Sequence, residues 1–201
     1  MKWPATLSAA DQEDGREMAQ LAAGHDAALN NLMARHAEKL FHFLTRALQN
    51  EEDAEDLAQE TFARVYHNRA NFDPRQKFTT WLYAIASNLA RDRYRWRKRH
   101  PQVSLDAENQ ETGASLGERL VDSSALPGDH LQSLERAEAV RRAVGALPPE
   151  LGAPLLLAEY EGRTHGEIGE ILGCTAKAVE MRVHRARQQL RTALAALIQE
   201  L

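Results

Sequence analysis

Apolar residues in this chain recur at three- and four-residue intervals up to about residue 99. They lose that rhythm between 100 and 130 and regain it from 131 onward. An interval near 3.6 lays one side of a helix on a core, whereas a half-buried strand needs strict alternation. Nothing here reads as a strand. The expected fold class is therefore all-α: two small helical domains joined by a flexible linker, the second containing a helix-turn-helix. Glycine and proline number only 11 and 7 in 201 residues, which suits helix throughout.

Residues 8–48 read as two helices, with Leu29, Leu32, Met33, Leu40, Phe43, Leu44 and Leu48 at helical spacing. A third helix is expected over 51–68. Its apolar positions Leu57, Ala58, Phe62, Val65 and Tyr66 fall on one side, and its carboxylates crowd the first turns, where the helix dipole favours them. Residues 71–76 form a loop around Pro74. A fourth helix, about 79–99, carries Phe78, Trp81, Leu82, Ile85 and Leu89 as its buried stripe, and Pro101 stops it. The first domain is thus 8–100. Residues 101–130, rich in Ser, Gly, Asp, Glu and Asn, read as a flexible acidic linker. Fully extended, it could reach roughly 100 Å, more than the about 70 Å of two duplex turns. The second domain, 131–201, is expected to hold helices at 131–147, 150–161, 165–172 and 176–197. Pro154 is placed in the first turn of its helix. Thr164 with Glu167 three positions on is a capping box, and Gly173 permits the turn between the last two helices.

Net charge is −4, yet it is segregated. Residues 91–99 carry a local +5, residues 177–191 a local +4, and residues 49–60 a local −6. Such separation suits separate partners for separate surfaces. No apolar run is long enough to span a bilayer, so no membrane insertion is expected. The first residues lack a signal-peptide core, so a cytoplasmic location is expected. The only cysteine, Cys174, excludes an intrachain disulfide and a cysteine-pair zinc site. No glutamate in the acidic helix has a histidine three positions on, and the histidines show no ligand spacing. Neither a phosphate-cradling glycine loop nor a nucleophile elbow occurs. The expectation is therefore no catalytic residue, no metal, no cofactor and no enzyme activity.

Two segments point to nucleic acid. In the helix-turn-helix, Ile168, Ile171, Leu172, Val179 and Val183 pack inward, which turns Lys177, Glu180, Met181, His184, Arg185 and Arg187 outward or sideways. Arginines there reach phosphates or guanine edges, and Glu180 can accept from a cytosine amino group. In the other segment, Arg91, Arg93, Arg95, Arg97, Lys98 and Arg99 interleave with Tyr94 and Trp96. Cations neutralise phosphate while aromatic faces stack on unpaired bases. The bland readings are a solvated basic face, a core tryptophan at Trp81 and a solvated acidic helix.

Three pieces in this order resemble the bacterial sigma-70 family of RNA polymerase sigma factors. Asp53-Ala-Glu-Asp-Leu-Ala-Gln-Glu-Thr-Phe62 is similar to the helix that binds core polymerase. Phe78 through Asp92, with its basic continuation, is similar to the helix that melts and reads the minus-ten element. Leu147-Pro-Pro-Glu150 through Arg187 is similar to the domain that reads the minus-thirty-five element. The small size with only these two domains resembles the extracytoplasmic-function (ECF) group. The resemblance implies that Asp53, Glu55, Asp56, Leu57, Gln59, Glu60 and Phe62 dock on the clamp helices of the largest polymerase subunit. It implies that the loop from Phe72 to Lys77 helps hold a flipped base. Trp81, Asn88, Arg91, Arg93, Tyr94, Arg95, Trp96 and Arg97 then serve opening and minus-ten contact. Lys177, Glu180, Met181, Arg182, His184, Arg185 and Arg187 line the upstream element. Partners so implied are core polymerase (including the flap of the second-largest subunit), promoter DNA and an anti-sigma factor, in a stress response, with a monomer when free. The rival readings are a stand-alone helix-turn-helix repressor or activator, and a helical carboxylate enzyme with a metal at 51–60.

Overall fold

The computed structural model describes residues 7–100 and 127–195, and among them only helices, turns and loops occur. The first half contains α1 (Ala9–Ala22), α2 (Ala27–Leu48), α3 (Glu51–His67), a 3-10 turn (Arg69–Asn71) and α4 (Phe78–Arg99). The second contains α5 (Pro127–Gly145), α6 (Pro149–Glu159), α7 (His165–Leu172) and α8 (Ala176–Ala193). Most of the expected linker lies outside the described residues. Its last four positions, 127–130, instead open α5. Pro127 has no N–H to leave unpaired in a first turn, so it begins a helix as readily as it ends one.

The reversal between α2 and α3 is local chemistry. Gln49 adopts the left-handed region at φ 53°. Asn50 follows in extended conformation, and its side chain accepts the Asp53 N–H at 2.7 Å, capping α3. A non-glycine residue in that region costs about 1 kcal/mol, and the cap returns a similar amount. In α7 the expected capping box is present. Thr164 Oγ1 accepts the Glu167 N–H at 3.3 Å, and Glu167 Oε2 accepts the Thr164 N–H at 3.0 Å. Gly173 closes α7 at φ 65°.

Pro154 corrects the sequence reading. It lies inside α6, beyond the first turn, and is buried. It deprives the Glu150 carbonyl of a donor. Glu150 is exposed, so water can serve that carbonyl, while the ring packs into the core.

In the first half the core comprises Met18, Leu21, Leu32, Leu40, Phe43, Leu44, Phe62, Val65, Phe78 and Leu82; in the second it comprises Leu151, Leu155, Leu156, Leu157, Ile168, Ile171, Val179 and Val183. The halves are packed on each other, α7 against α4 and α6 against α2. This junction buries Tyr83, whose hydroxyl donates to Glu161 Oε2 at 2.5 Å. Lys77 Nζ meets Glu167 Oε1 at 2.6 Å, and the Arg46 guanidinium lies 4.3 Å from the Tyr160 ring centre. Burial, with Glu161 beside it, pushes the Tyr83 phenol well above its usual range.

Candidate nucleic-acid interface

The acidic helix α3 presents Glu55, Asp56, Gln59 and Glu60 to solvent, while Leu57 and Phe62 are buried. Glu60 is paired with Arg64 one turn on at 2.8 Å. Asp53 stands apart from the exposed row. It is 8% exposed, and its carboxylate holds the guanidinium groups of both Arg93 and Arg97 from α4. The expected docking residues are therefore split by the fold, four outward and three inward.

Helix α4 divides its basic end between two sides. Arg93 and Arg97, one turn apart, turn to Asp53. Arg91 and Arg95 are also one turn apart, and two residues along a helix is about 200° around it. These two, with Tyr94, line a cavity of about 450 Å³ between the halves, together with Arg46, Ser87 and Arg182. Trp96 is exposed and stacks on His100, ring centres 5.0 Å apart.

A second recess, about 330 Å³, opens beside the start of α4. Trp81, Ile85 and Asn88 form one wall, and Arg64, Asn68 and Asn71 form the other. Trp81 is half-buried and leans on Phe72 at 5.4 Å between ring centres. Phe72 in turn abuts Phe78. This stack keeps the indole beside three carboxamides, which can donate and accept like the edge of a base. Asn68, Asn71 and Arg64 escaped the sequence reading, since short polar residues near a turn look like turn formers. Their spacing of three and four residues was the available signal. The adjoining loop is braced by Arg75, which donates to both oxygens of Asp73. That hydrogen bonding draws the Asp73 carboxyl down to about 2.

On the helix-turn-helix, α8 exposes Lys177, Glu180, Met181, His184, Arg185 and Arg187. Thr175 caps it by accepting the Ala178 N–H at 3.1 Å. Lys177 and Glu180 pair with each other at 2.9 Å, and this hydrogen bond lowers the Glu180 carboxyl. Arg187 reaches back to Glu159 of α6 at 2.5 Å. Arg182 is half-buried over Cys174, 3.5 Å from its sulfur, and faces the interdomain cavity. Arg185 is exposed with no ion-pair partner among the described residues, as is Arg191 two turns on, so its guanidinium is open to a phosphate or a guanine. Among the described residues no three His, Cys, Asp or Glu side chains cluster as metal ligands would, and no helix is long and apolar enough to cross a membrane.

Residues 32–100 match the family description Sigma-70 region 2, and residues 137–190 match Sigma-70, region 4. The chain is 36% identical over 180 residues to the ECF RNA polymerase sigma factor SigW of Bacillus subtilis, covering 89% of this chain and 95% of that protein. It is 34% identical over 180 residues to the RNA polymerase sigma factor CarQ of Myxococcus xanthus, covering 90% and 97%. Among solved structures, CnrH in complex with the cytosolic domain of CnrY superposes with a TM-score of 0.65 at 28% identity, over 92% of this chain and 98% of that one. The sigma factor RpoE of Bartonella quintana, solved with the anti-sigma factor NepR, shares the fold at a TM-score of 0.63 and 22% identity, over 83% and 96%.

Proposed function

The chain belongs to the ECF group of sigma-70 RNA polymerase sigma factors, and on that basis we propose how its surfaces start transcription. It binds core RNA polymerase and directs initiation to chosen promoters. It works in the cytoplasm and catalyses nothing itself; it serves a stress response under the control of an anti-sigma factor. Residues 8–100 form the domain for polymerase docking and minus-ten opening. Residues 131–201 read the minus-thirty-five element, and the helix that opens this domain extends back to Pro127.

The exposed carboxylates Glu55, Asp56 and Glu60, with Gln59, meet the clamp helices, and buried Leu57 and Phe62 hold α3 in shape. Opening is a matter of trapping. A base taken out of the stack costs a few kcal/mol. The recess between Trp81 and the Asn68–Asn71 side takes such a base, offering a ring to stack on and amides to its edge. Arg91, Tyr94 and Arg95 line the cavity between the halves, so once the second half moves off α4 they and Asn88 meet the backbone nearby, with Tyr94 and Trp96 available to stack. Upstream, α8 enters the major groove with Met181, His184 and Arg185 foremost.

One observation carries this reading: a capped helix-turn-helix and a base-sized recess stand on the same chain as an exposed acidic helix face. The deciding experiment is transcription in vitro with purified core polymerase. Promoter-specific transcripts are expected only when the chain is added. Tight DNA binding by the chain alone, with no transcripts, would instead indicate a stand-alone repressor or activator.

A further inference from the structure

Six cations lie in residues 91–99, but the fold does not offer them alike. Asp53, in the first turn of α3, is nearly enclosed and holds both Arg93 and Arg97. Arg97 also donates to the Leu48 carbonyl at 3.4 Å, so this pair of arginines is stitched to the corner between α2 and α3. Their side chains keep 30% and 41% of their exposure. They are thus near enough to solvent to swing toward a phosphate if released. Asp53 itself has 11% of its side chain exposed and is turned away from the exposed row that begins at Glu55. An ion drawn out of water is held only where opposite charge and hydrogen bonds compensate it. Here two guanidinium groups and the positive end of α3 do so.

We infer that Asp53 is a positioning residue: an internal counter-ion that withholds Arg93 and Arg97 from DNA phosphates and leaves the Asn88, Arg91 and Arg95 side of α4 to meet the promoter. The acidic helix thereby sets how much sequence-independent affinity the basic segment contributes. The inference rests on the reading of α4 as DNA-facing. Sequence-independent attraction is the component that erodes discrimination, because phosphates look alike everywhere.

The test uses holoenzyme assembled from core polymerase and the intact chain, with binding to promoter and non-promoter duplexes measured across a salt series. In Asp53→Asn two cations gain access to phosphate. The slope of log affinity against log salt should steepen by roughly one to two. Non-promoter binding should tighten several-fold at low salt, and the promoter preference should fall. Adding Arg93→Gln and Arg97→Gln to that variant should remove the increment. Core association should persist in Asp53→Asn, whereas a Glu55→Lys/Asp56→Lys reversal should abolish it. An unchanged salt slope, or loss of core association in folded Asp53→Asn, overturns the inference. A second measurement needs no variant. Arginine-selective dicarbonyl labelling of the wild-type chain, read by mass spectrometry, should modify Arg95 and Arg99 well before Arg93 and Arg97; equal rates overturn it too. Arg91→Gln/Arg95→Gln separates the underlying reading from the inference. If that pair leaves DNA binding untouched, the DNA-facing reading of α4 fails. A flat Asp53→Asn slope beside a clear loss in the Arg91/Arg95 variant sinks only the role of Asp53.

Discussion

Replacing Glu167 by glutamine keeps the shape of the side chain and deletes its charge, so it isolates what the carboxylate contributes. Oxygen Oε2 accepts from the N–H and the hydroxyl of Thr164, at 3.0 and 2.9 Å, while Oε1 meets Lys77 of the other half at 2.6 Å. Burial works to raise this carboxyl. The hydrogen bond from Lys77, those from Thr164 and the lysine charge outweigh it, and the group falls from an ordinary 4.5 to about 2. At about 1.4 kcal/mol per pH unit, that displacement sets a ceiling of roughly 3 kcal/mol. The lysine and glutamate side chains are 25% and 23% exposed. Solvent screening at such a site brings the expected loss down to about 1 kcal/mol. Because the carboxyl is depressed, the stabilisation is complete above pH 4.5 and disappears as pH falls toward 2. Urea denaturation followed by far-UV circular dichroism from pH 2 to 7 should show wild type and Glu167→Gln converging at the acid end and parting by about 1 kcal/mol near neutrality. A cycle with Lys77→Met should return a coupling of about 0.5 kcal/mol. Parallel pH profiles would refute the role of the carboxylate, and strict additivity in the cycle would refute the contact between the halves.

Other substitutions probe the same frame. A Cβ on Gly169 would sit 2.6 Å from the Cys174 carbonyl oxygen, which is backbone and cannot step aside. Gly169→Ala should cost about 2 kcal/mol in melting experiments and weaken binding to the upstream element. Gly173 has open space but φ 65°, so Gly173→Ala should cost about 1 kcal/mol while the helix-turn-helix geometry survives. Buried Asp14 accepts from Arg35 at 2.9 Å and pairs with His36 at 2.8 Å. Asp14→Ala should destabilise the first half by about 2–3 kcal/mol in denaturant. Asn68→Ala/Asn71→Ala should slow open-complex formation, read by permanganate footprinting, and leave core association intact. Slowing rescued on a premelted template would place the defect in opening.

Local signals were readable from sequence, and long-range ones were not. Thr164 and Glu167 lie three residues apart and declare the start of α7 without any knowledge of the rest of the chain. Ile168, Ile171, Val179 and Val183 are buried, as their spacing implies. Tyr83 and Ser87 are both buried, and Tyr83 packs on Phe43 of its own half while its hydrogen-bond partner lies 78 residues away in the other. Asp53 and Arg93 are 40 residues apart. A carboxylate in an acidic run looks like its neighbours until the fold turns it toward α4. The expected start of the fifth helix missed four residues, because Pro-Gly-Asp-His reads as a loop until a core is known for the helix to pack on.

Helix α4 is an unbroken rod of 22 residues, about 33 Å long at 1.5 Å per residue. It walls the recess at one end, clasps Asp53 near the other and borders the cavity between the halves along its flank. These attachments cannot be re-aimed one at a time. A twist of the rod that favours one grip loosens the rest, so substitutions anywhere along it should be felt at both ends.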